Sequence, residues 1–152
     1  QDNARAIVDW LLVQPGVKRV WYPTHDSHPN CEVARRQMTG FGGMVSFELD
    51  CNLAQAREFC AATRVITLAE SLGGVESLIE LPAAMTHASM PPEVRKEVGI
   101  ADGLVRLSVG IEHIDDLIGD LAQALVKTTG WGPSPAGCHI LVWSLSRPAW
   151  RP

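Results

Sequence analysis

Arg106 sits in the middle of an apolar run, Leu104-Val105-Arg106-Leu107-Ser108-Val109. Strand alternation would place Leu104, Arg106 and Ser108 on one face and Val105, Leu107 and Val109 on the other. A guanidinium in that setting is costly unless something pairs with it. Two kinds of partner suit it. One is a carboxylate from among the chain's 17 acidic residues, which is the ordinary structural outcome. The other is the carboxylate of a ligand, because a fixed guanidinium offers two parallel donors.

Upstream, Glu70-Ser71-Leu72-Gly73-Gly74 joins two apolar segments. The glycine pair frees the backbone for a tight turn and allows another group to approach closely. Ser71 could offer its hydroxyl or its amide to an anion there. The plainer alternative is a strand-to-strand loop in which Ser71 bonds its own neighbours. Thr86-His87 lies between Met85 and Ala88, and His87 reads as a hydrogen-bonded structural residue. Glu76 and Glu80 follow the loop at strand-like spacing and read as structural or interface groups, with no catalytic assignment. His25, His28 and Cys31 recur every third residue, but Pro29 interrupts them and no second ligand pair is near, so no metal site is expected.

These residues need elements to position them. Residues 2–13 read as a helix with Ile7, Val8, Trp10, Leu11 and Leu12 on one broad face, stopped by Pro15-Gly16. Val17 to Tyr22 reads as a strand and Pro29 to Met38 as a helix with Arg35 and Arg36 near its C-terminal end. After Gly40, Gly42 and Gly43, the alternating Met44 to Leu49 reads as a half-buried strand. Leu53 to Ala62 is helix-like behind an Asn52 N-cap. Further strands are expected at Val65–Leu68, Ser77–Leu81 and Gly103–Val109, with a helical turn at Glu93–Val98 carrying Arg95 and Lys96 as polar residues. His113 to Val126 is the clearest helix. Ile114, Leu117, Ile118, Leu121, Ala124 and Leu125 form its apolar stripe, and Asp115, Asp116 and Asp120 sit on or near the opposite side. The fold class expected is α/β of the α+β kind: an antiparallel sheet of about four strands with helices on one face.

At 152 residues, 46% hydrophobic and 20% charged, the chain is one domain, or one domain and a tail. A net charge of −4 gives no reason to expect nucleic acid as a partner, and no apolar run is long enough for a membrane span. The beginning at Gln1 reads as a cut inside a longer protein. Cys31, Cys51, Cys60 and Cys138 are spaced like free thiols of a reducing compartment, and a cytoplasmic location is expected. Residues 127–152 differ from the rest. They hold three basic residues and no acidic one, whereas the first 126 hold 10 basic and 17 acidic. Trp131, Trp143 and Trp150 lie there among prolines and glycines, and poor order is expected.

Three blocks carry a family resemblance: Thr67 to Leu78 with its Glu70-Ser71-Leu72-Gly73-Gly74 core, Leu81-Pro82-Ala83-Ala84-Met85-Thr86-His87-Ala88-Ser89, and Leu104 to Glu112. Together they resemble the C-terminal domain of the Cys/Met-metabolism enzymes, which are fold-type I enzymes using pyridoxal 5'-phosphate (PLP). The resemblance covers roughly residues 1–126. It implies that Arg106 binds the α-carboxylate of an amino-acid substrate, that Ser71 contacts the same carboxylate, that Glu70 lies at the substrate side chain, and that Thr86 lies near the substrate entrance.

Within the family the chain is most similar to the lyases that cleave cystathionine at the γ-carbon. That likeness implies release of cysteine, 2-oxobutyrate and ammonia, with hydrogen sulfide release as a side activity. Members that make cystathionine, cleave it at the β-carbon or cleave methionine share the Ser and Arg pattern. A non-catalytic fragment acting only by association with full-length subunits is the alternative outside catalysis. PLP chemistry needs a Schiff-base lysine, and the family supplies it from a Ser-x-Thr-Lys segment of its large domain. Lys18, Lys96 and Lys127 are not in such a context, so no catalytic residue and no PLP are expected in the isolated chain. For a complete enzyme the resemblance implies PLP and a homotetramer.

Overall fold

The computed structural model describes residues 1–26, 28–70 and 73–129. The expectations for Ser71 and for residues 130–152, including the poor order of the tail and the thiol of Cys138, lie outside the described residues.

Five helices and five strands alternate irregularly: α1 (Asp2–Leu11), β1 (Val17–Trp21), α2 (Cys31–Gln37), β2 (Met44–Leu49), α3 (Leu53–Ala62), β3 (Thr67–Leu68), β4 (Leu78–Glu80), α4 (Pro92–Glu97), β5 (Leu104–Ser108) and α5 (Ile114–Thr129). The strands form one sheet in the order β1-β2-β5-β4-β3. The β1/β2, β2/β5 and β4/β5 pairs are antiparallel, and β3 runs parallel to β4. The sheet is therefore mixed and five-stranded, which corrects the expectation of about four antiparallel strands. Residue alternation is the same for either strand direction, so the pattern carried no sign of the parallel pair. The parallel pairing is brief: Thr67 faces Leu78 and Leu68 faces Ile79.

The period-2 pattern sorts the two sheet faces. In β2, Val45, Phe47 and Leu49 are buried, while Met44, Ser46 and Glu48 are half-buried on the other side. In β5, Val105 and Leu107 share the inner face, and Leu104 and Arg106 point outward. Helices α1, α3 and α5 close over the inner face. Ile7 and Leu11 of α1, Phe59 of α3, and Leu117 and Leu121 of α5 join the strand residues in one core. Phe47 meets Phe59 edge to face, with centroids 6.1 Å apart. Helix α1 is shorter than expected, and Leu12, expected on its apolar face, is exposed where the chain leaves the helix. Helix α3 begins as expected: Asn52 accepts from the Gln55 amide, and Gln55 accepts from the Asn52 amide, a capping box.

Cys31, Cys51 and Cys60 are free thiols, as expected. Burial pushes the Cys60 thiol up to about 12, so it packs as a small apolar residue. No group of described His, Cys, Asp and Glu residues is placed to hold a metal ion.

Two carboxylates staple the β3–β4 region to the rest. Asp120 of α5 is buried, not turned to the solvent side as the helical pattern suggested. Its oxygens accept from the backbone amides of Arg64, Val65 and Ile66 at 2.8–3.0 Å and from Gln123. The chain after α3 turns extended at Thr63, which leaves those amides without helical acceptors, and Asp120 supplies one. The second staple is Glu112, just before α5. It accepts from the Ser77 amide at 2.6 Å and the Ser77 hydroxyl at 2.7 Å, while the Ser77 hydroxyl oxygen accepts from the Gly110 amide at 2.9 Å. A Cβ on Gly110 would run into the Val75 carbonyl, so this crossing requires glycine.

Replacing Asp120 by Ala leaves three amides without their acceptor, one of them buried. The expected loss is about 2–3 kcal/mol of unfolding free energy, read from urea denaturation. Burial alone pushes the Glu112 carboxyl up, but hydrogen bonds from the Ser77 amide, its own backbone amide and the Ser77 hydroxyl together outweigh it, and the net position lies below the ordinary value of 4.5. A depressed carboxyl stabilises the fold above its unfolded pKa and loses that contribution as pH falls through the folded one. Stability measured from pH 7 down through 4.5 and below should therefore fall less steeply in Glu112→Gln, which should also be less stable than wild type at pH 7. Parallel curves for the two proteins would refute the assignment.

Candidate substrate-carboxylate site

The outer face of the sheet is built around Arg106. It occupies the middle of β5, with Ser46 of β2 facing it on one side and Glu80 of β4 on the other. Arg106 Nη1 donates to Glu80 Oε1 at 3.2 Å. The pair is unequal: the Arg106 side chain is 44% exposed and the Glu80 side chain only 2%. Glu80 Oε2 is buried without a hydrogen-bond partner. The ion pair expected from the residue pattern is thus present. It also leaves the rest of the guanidinium without a protein partner among the described residues, so both readings of Arg106 stay compatible with the geometry.

Next to this pair lies a trough of about 560 Å³, walled by Arg19, Trp21, Ser46, Glu48 and Leu104 from the strands and by Lys96 from α4. Arg19 stacks over the Trp21 ring at 5.4 Å. Arg106 does not line the trough itself, but its cross-strand neighbour Ser46 and its strand neighbour Leu104 do.

The other expected site residues are more scattered. Glu70 is exposed just past β3, whose end is tied to β4 by the Ala69 amide donating to the Ile79 carbonyl at 3.0 Å. Gly73 has φ +77°, a left-handed conformation that explains glycine at that turn. Thr86 is exposed in the turn after β4, its hydroxyl 2.9 Å from His87 Nδ1. His87 donates its amide to the Pro82 carbonyl, which fits its structural reading. Among the described residues, no hydrogen bond or ion pair joins Glu70 or Thr86 to Arg106.

Two features of the site escaped the residue pattern. Glu80 was legible only as an acidic residue in a strand, because its register against Arg106 depends on two segments far apart in sequence. Arg95, read as part of a polar turn, is buried. Its guanidinium donates to the Ala83 carbonyl and to Asp102 at 3.1 Å, pinning the segment that leads to Thr86. Its position in the last turn of a short helix gave no sign of that.

The lysines do not fit a covalent PLP site. Lys18, Lys96 and Lys127 are all exposed. A hydrogen bond to Asp50 at 3.0 Å holds Lys18 protonated and raises its pKa, the opposite of what a Schiff-base nucleophile needs. No described lysine lies against an acid and a phosphate cradle together.

Comparison with known proteins shows what the chain is similar to. A cystathionine β-lyase of Lactococcus lactis subsp. cremoris is 54% identical over 125 residues, which are 82% of this chain and 33% of that protein. A cystathionine γ-lyase of Dictyostelium discoideum is 55% identical over 127 residues, 84% of this chain and 33% of the relative. The crystal structure of a cystathionine γ-synthase of Xanthomonas oryzae pv. oryzae, in complex with aminoacrylate and cysteine, superposes with a TM-score of 0.79 at 49% identity, covering 86% of this chain and 34% of that one. The chain spans about a third of the length of the relatives it matches. Residues 1–126 match the family model of the Cys/Met metabolism PLP-dependent enzymes, and with these relatives the chain belongs to that family.

Proposed function

We propose that this chain is the substrate-orienting C-terminal domain of a PLP-dependent carbon–sulfur lyase that cleaves cystathionine at the γ-carbon. Arg106 is the receptor for the substrate α-carboxylate. Ser71 donates to the same carboxylate, Glu70 faces the substrate side chain, and Thr86 borders the entrance. The observation that carries this reading is the state of Arg106: a guanidinium on the outer sheet face, anchored at one nitrogen and half-exposed at the rest. Two parallel N–H donors on a held plane are the natural complement of a carboxylate. In a reaction at a neighbouring carbon, fixing the carboxylate fixes the orientation of the α-carbon bonds, so the contribution is positional.

The lysine and phosphate donors for PLP belong, in this reading, to the rest of a complete enzyme. That enzyme is a cytoplasmic homotetramer using a small amino-acid substrate, with no nucleic-acid or membrane partner. No described helix is long and apolar enough to cross a membrane.

The β-lyase and γ-synthase relatives are as similar as the γ-lyase, which makes those reactions the competing reading. Products separate the lyases. Cleavage on the γ-side of sulfur releases cysteine and 2-oxobutyrate, whereas cleavage on the β-side releases homocysteine and pyruvate.

In a complete enzyme carrying this domain, Arg106→Lys keeps the charge but loses the fork. It should lower kcat/KM for the amino-acid substrate about 10- to 100-fold, the cost of one charge-assisted hydrogen bond. Cofactor absorbance and Tm should be nearly unchanged. Ser71→Ala should act in the same direction and more weakly. If Arg106→Lys unfolds the protein while the surviving fraction keeps normal kinetics, Arg106 is a structural ion-pair residue and the proposal fails.

A further inference from the structure

We infer that Glu80 is a positioning residue for Arg106: it anchors one nitrogen of the guanidinium and so aims the remaining donors at an incoming carboxylate. The inference rests on the carboxylate-receptor reading above and goes a step beyond it, because it gives the buried acid, not only the exposed base, a part in substrate recognition.

The geometry is lopsided in the way an anchor requires. Glu80 and Arg106 are direct cross-strand partners in β4 and β5, so both backbones are held by the sheet ladder. The Glu80 side chain is almost wholly buried and cannot swing out without opening its surroundings. Arg106 is the long and mobile partner, half in solvent. An unrestrained arginine at an exposed site samples many rotamers. A single 3.2 Å bond from Nη1 to a fixed oxygen removes part of that freedom and holds one end of the guanidinium in place. The guanidinium carries five N–H donors, and this bond engages only one nitrogen.

A mutually satisfied pair would be joined fork to fork, with no buried oxygen left over. Here Oε2 of Glu80 is buried and unpartnered, while the guanidinium keeps donors free among the described residues. The buried guanidinium of Arg95 is bonded to the Ala83 carbonyl and Asp102 and gives no hydrogen bond to Glu80. Arg106 is the one side-chain partner of Glu80 among the described residues. A buried carboxylate with one bond is an expensive arrangement for stability alone. It is the arrangement expected if the second half of the guanidinium is reserved for something else.

The test compares ligands that differ only in the carboxylate. In the complete enzyme, L-alanine and ethylamine are measured as competitive inhibitors against the amino-acid substrate. Wild type should bind L-alanine more tightly than ethylamine. Glu80→Gln keeps the shape and an acceptor oxygen but makes the anchor neutral, and Glu80→Asp keeps the charge but draws it back by one methylene. Either should raise KM and the L-alanine inhibition constant about tenfold, the worth of losing one charge-assisted bond. Neither should change ethylamine inhibition or cofactor absorbance. Combined with Arg106→Lys, Glu80→Gln should add little, because both act through one guanidinium. If Glu80→Gln does not fold, Glu80→Asp carries the same comparison. Retention of the wild-type preference for L-alanine in the folded variant, or a full additive loss in the double variant, overturns the inference and leaves the Arg106 reading standing. A wild-type enzyme that does not distinguish L-alanine from ethylamine overturns the carboxylate reading itself, and the role of Glu80 with it.

Discussion

The pairing of β2 with β5 at the centre of the sheet is the constraint on which the rest depends. It is the longest register in the fold, from Met44 opposite Ser108 to Glu48 opposite Leu104. Because side chains alternate strictly along each strand, this register decides everything on both sides at once. Val45, Phe47, Val105 and Leu107 must point together into the helices. Ser46 and Arg106 must then meet on the outside. A slip of one residue would bury Arg106 among Phe59, Leu117 and Leu121, an unaffordable position for an unpaired charge. The core and the outer face are two consequences of one hydrogen-bond ladder.

The edge of the sheet beyond β5 is held differently. Strands β3 and β4 are short, and their parallel pairing offers only two residue contacts. Carboxylates do the work that a longer ladder does elsewhere. Asp120 holds the entry to β3 by three consecutive amides, and Glu112 holds the entry to β4 through Ser77. Both belong to α5 or to its N-terminal approach, the same helix that caps the core. The excursion carrying Glu70 and Gly73 is therefore suspended between two fixed points, and Glu80 emerges just beyond the second. Helix α5 contributes to the outer face without touching it.

Local patterns were legible, and pairings between distant segments were not. The alternation of β2, the capped α3 and the apolar stripe of α5 follow from neighbours within a few residues, and the structure has them where the pattern put them. Arg106 stood out because a charge interrupts an apolar alternation. Its partner did not, since Glu80 is one of several acids in plausible strands and only the tertiary register selects it. Asp120 was misplaced for a related reason. Helical periodicity put it near the polar side, but the amides of residues 64–66 needed an acceptor, and no pattern within α5 records that need. Strand direction was invisible for β3, because alternation reads the same both ways.

The family relationship sharpens what this domain can and cannot decide. Relatives named for β-cleavage, γ-cleavage and synthesis of cystathionine are 54%, 55% and 56% identical to the same stretch of chain. A domain that varied with the reaction would be expected to side with one of them. We read the even likeness as the mark of a domain whose task precedes the choice of reaction. Every amino acid presents an α-carboxylate whatever bond is later broken, and the role proposed for Arg106 is to receive that shared group. The exposed lysines, engaged or solvated, fit the same division of labour.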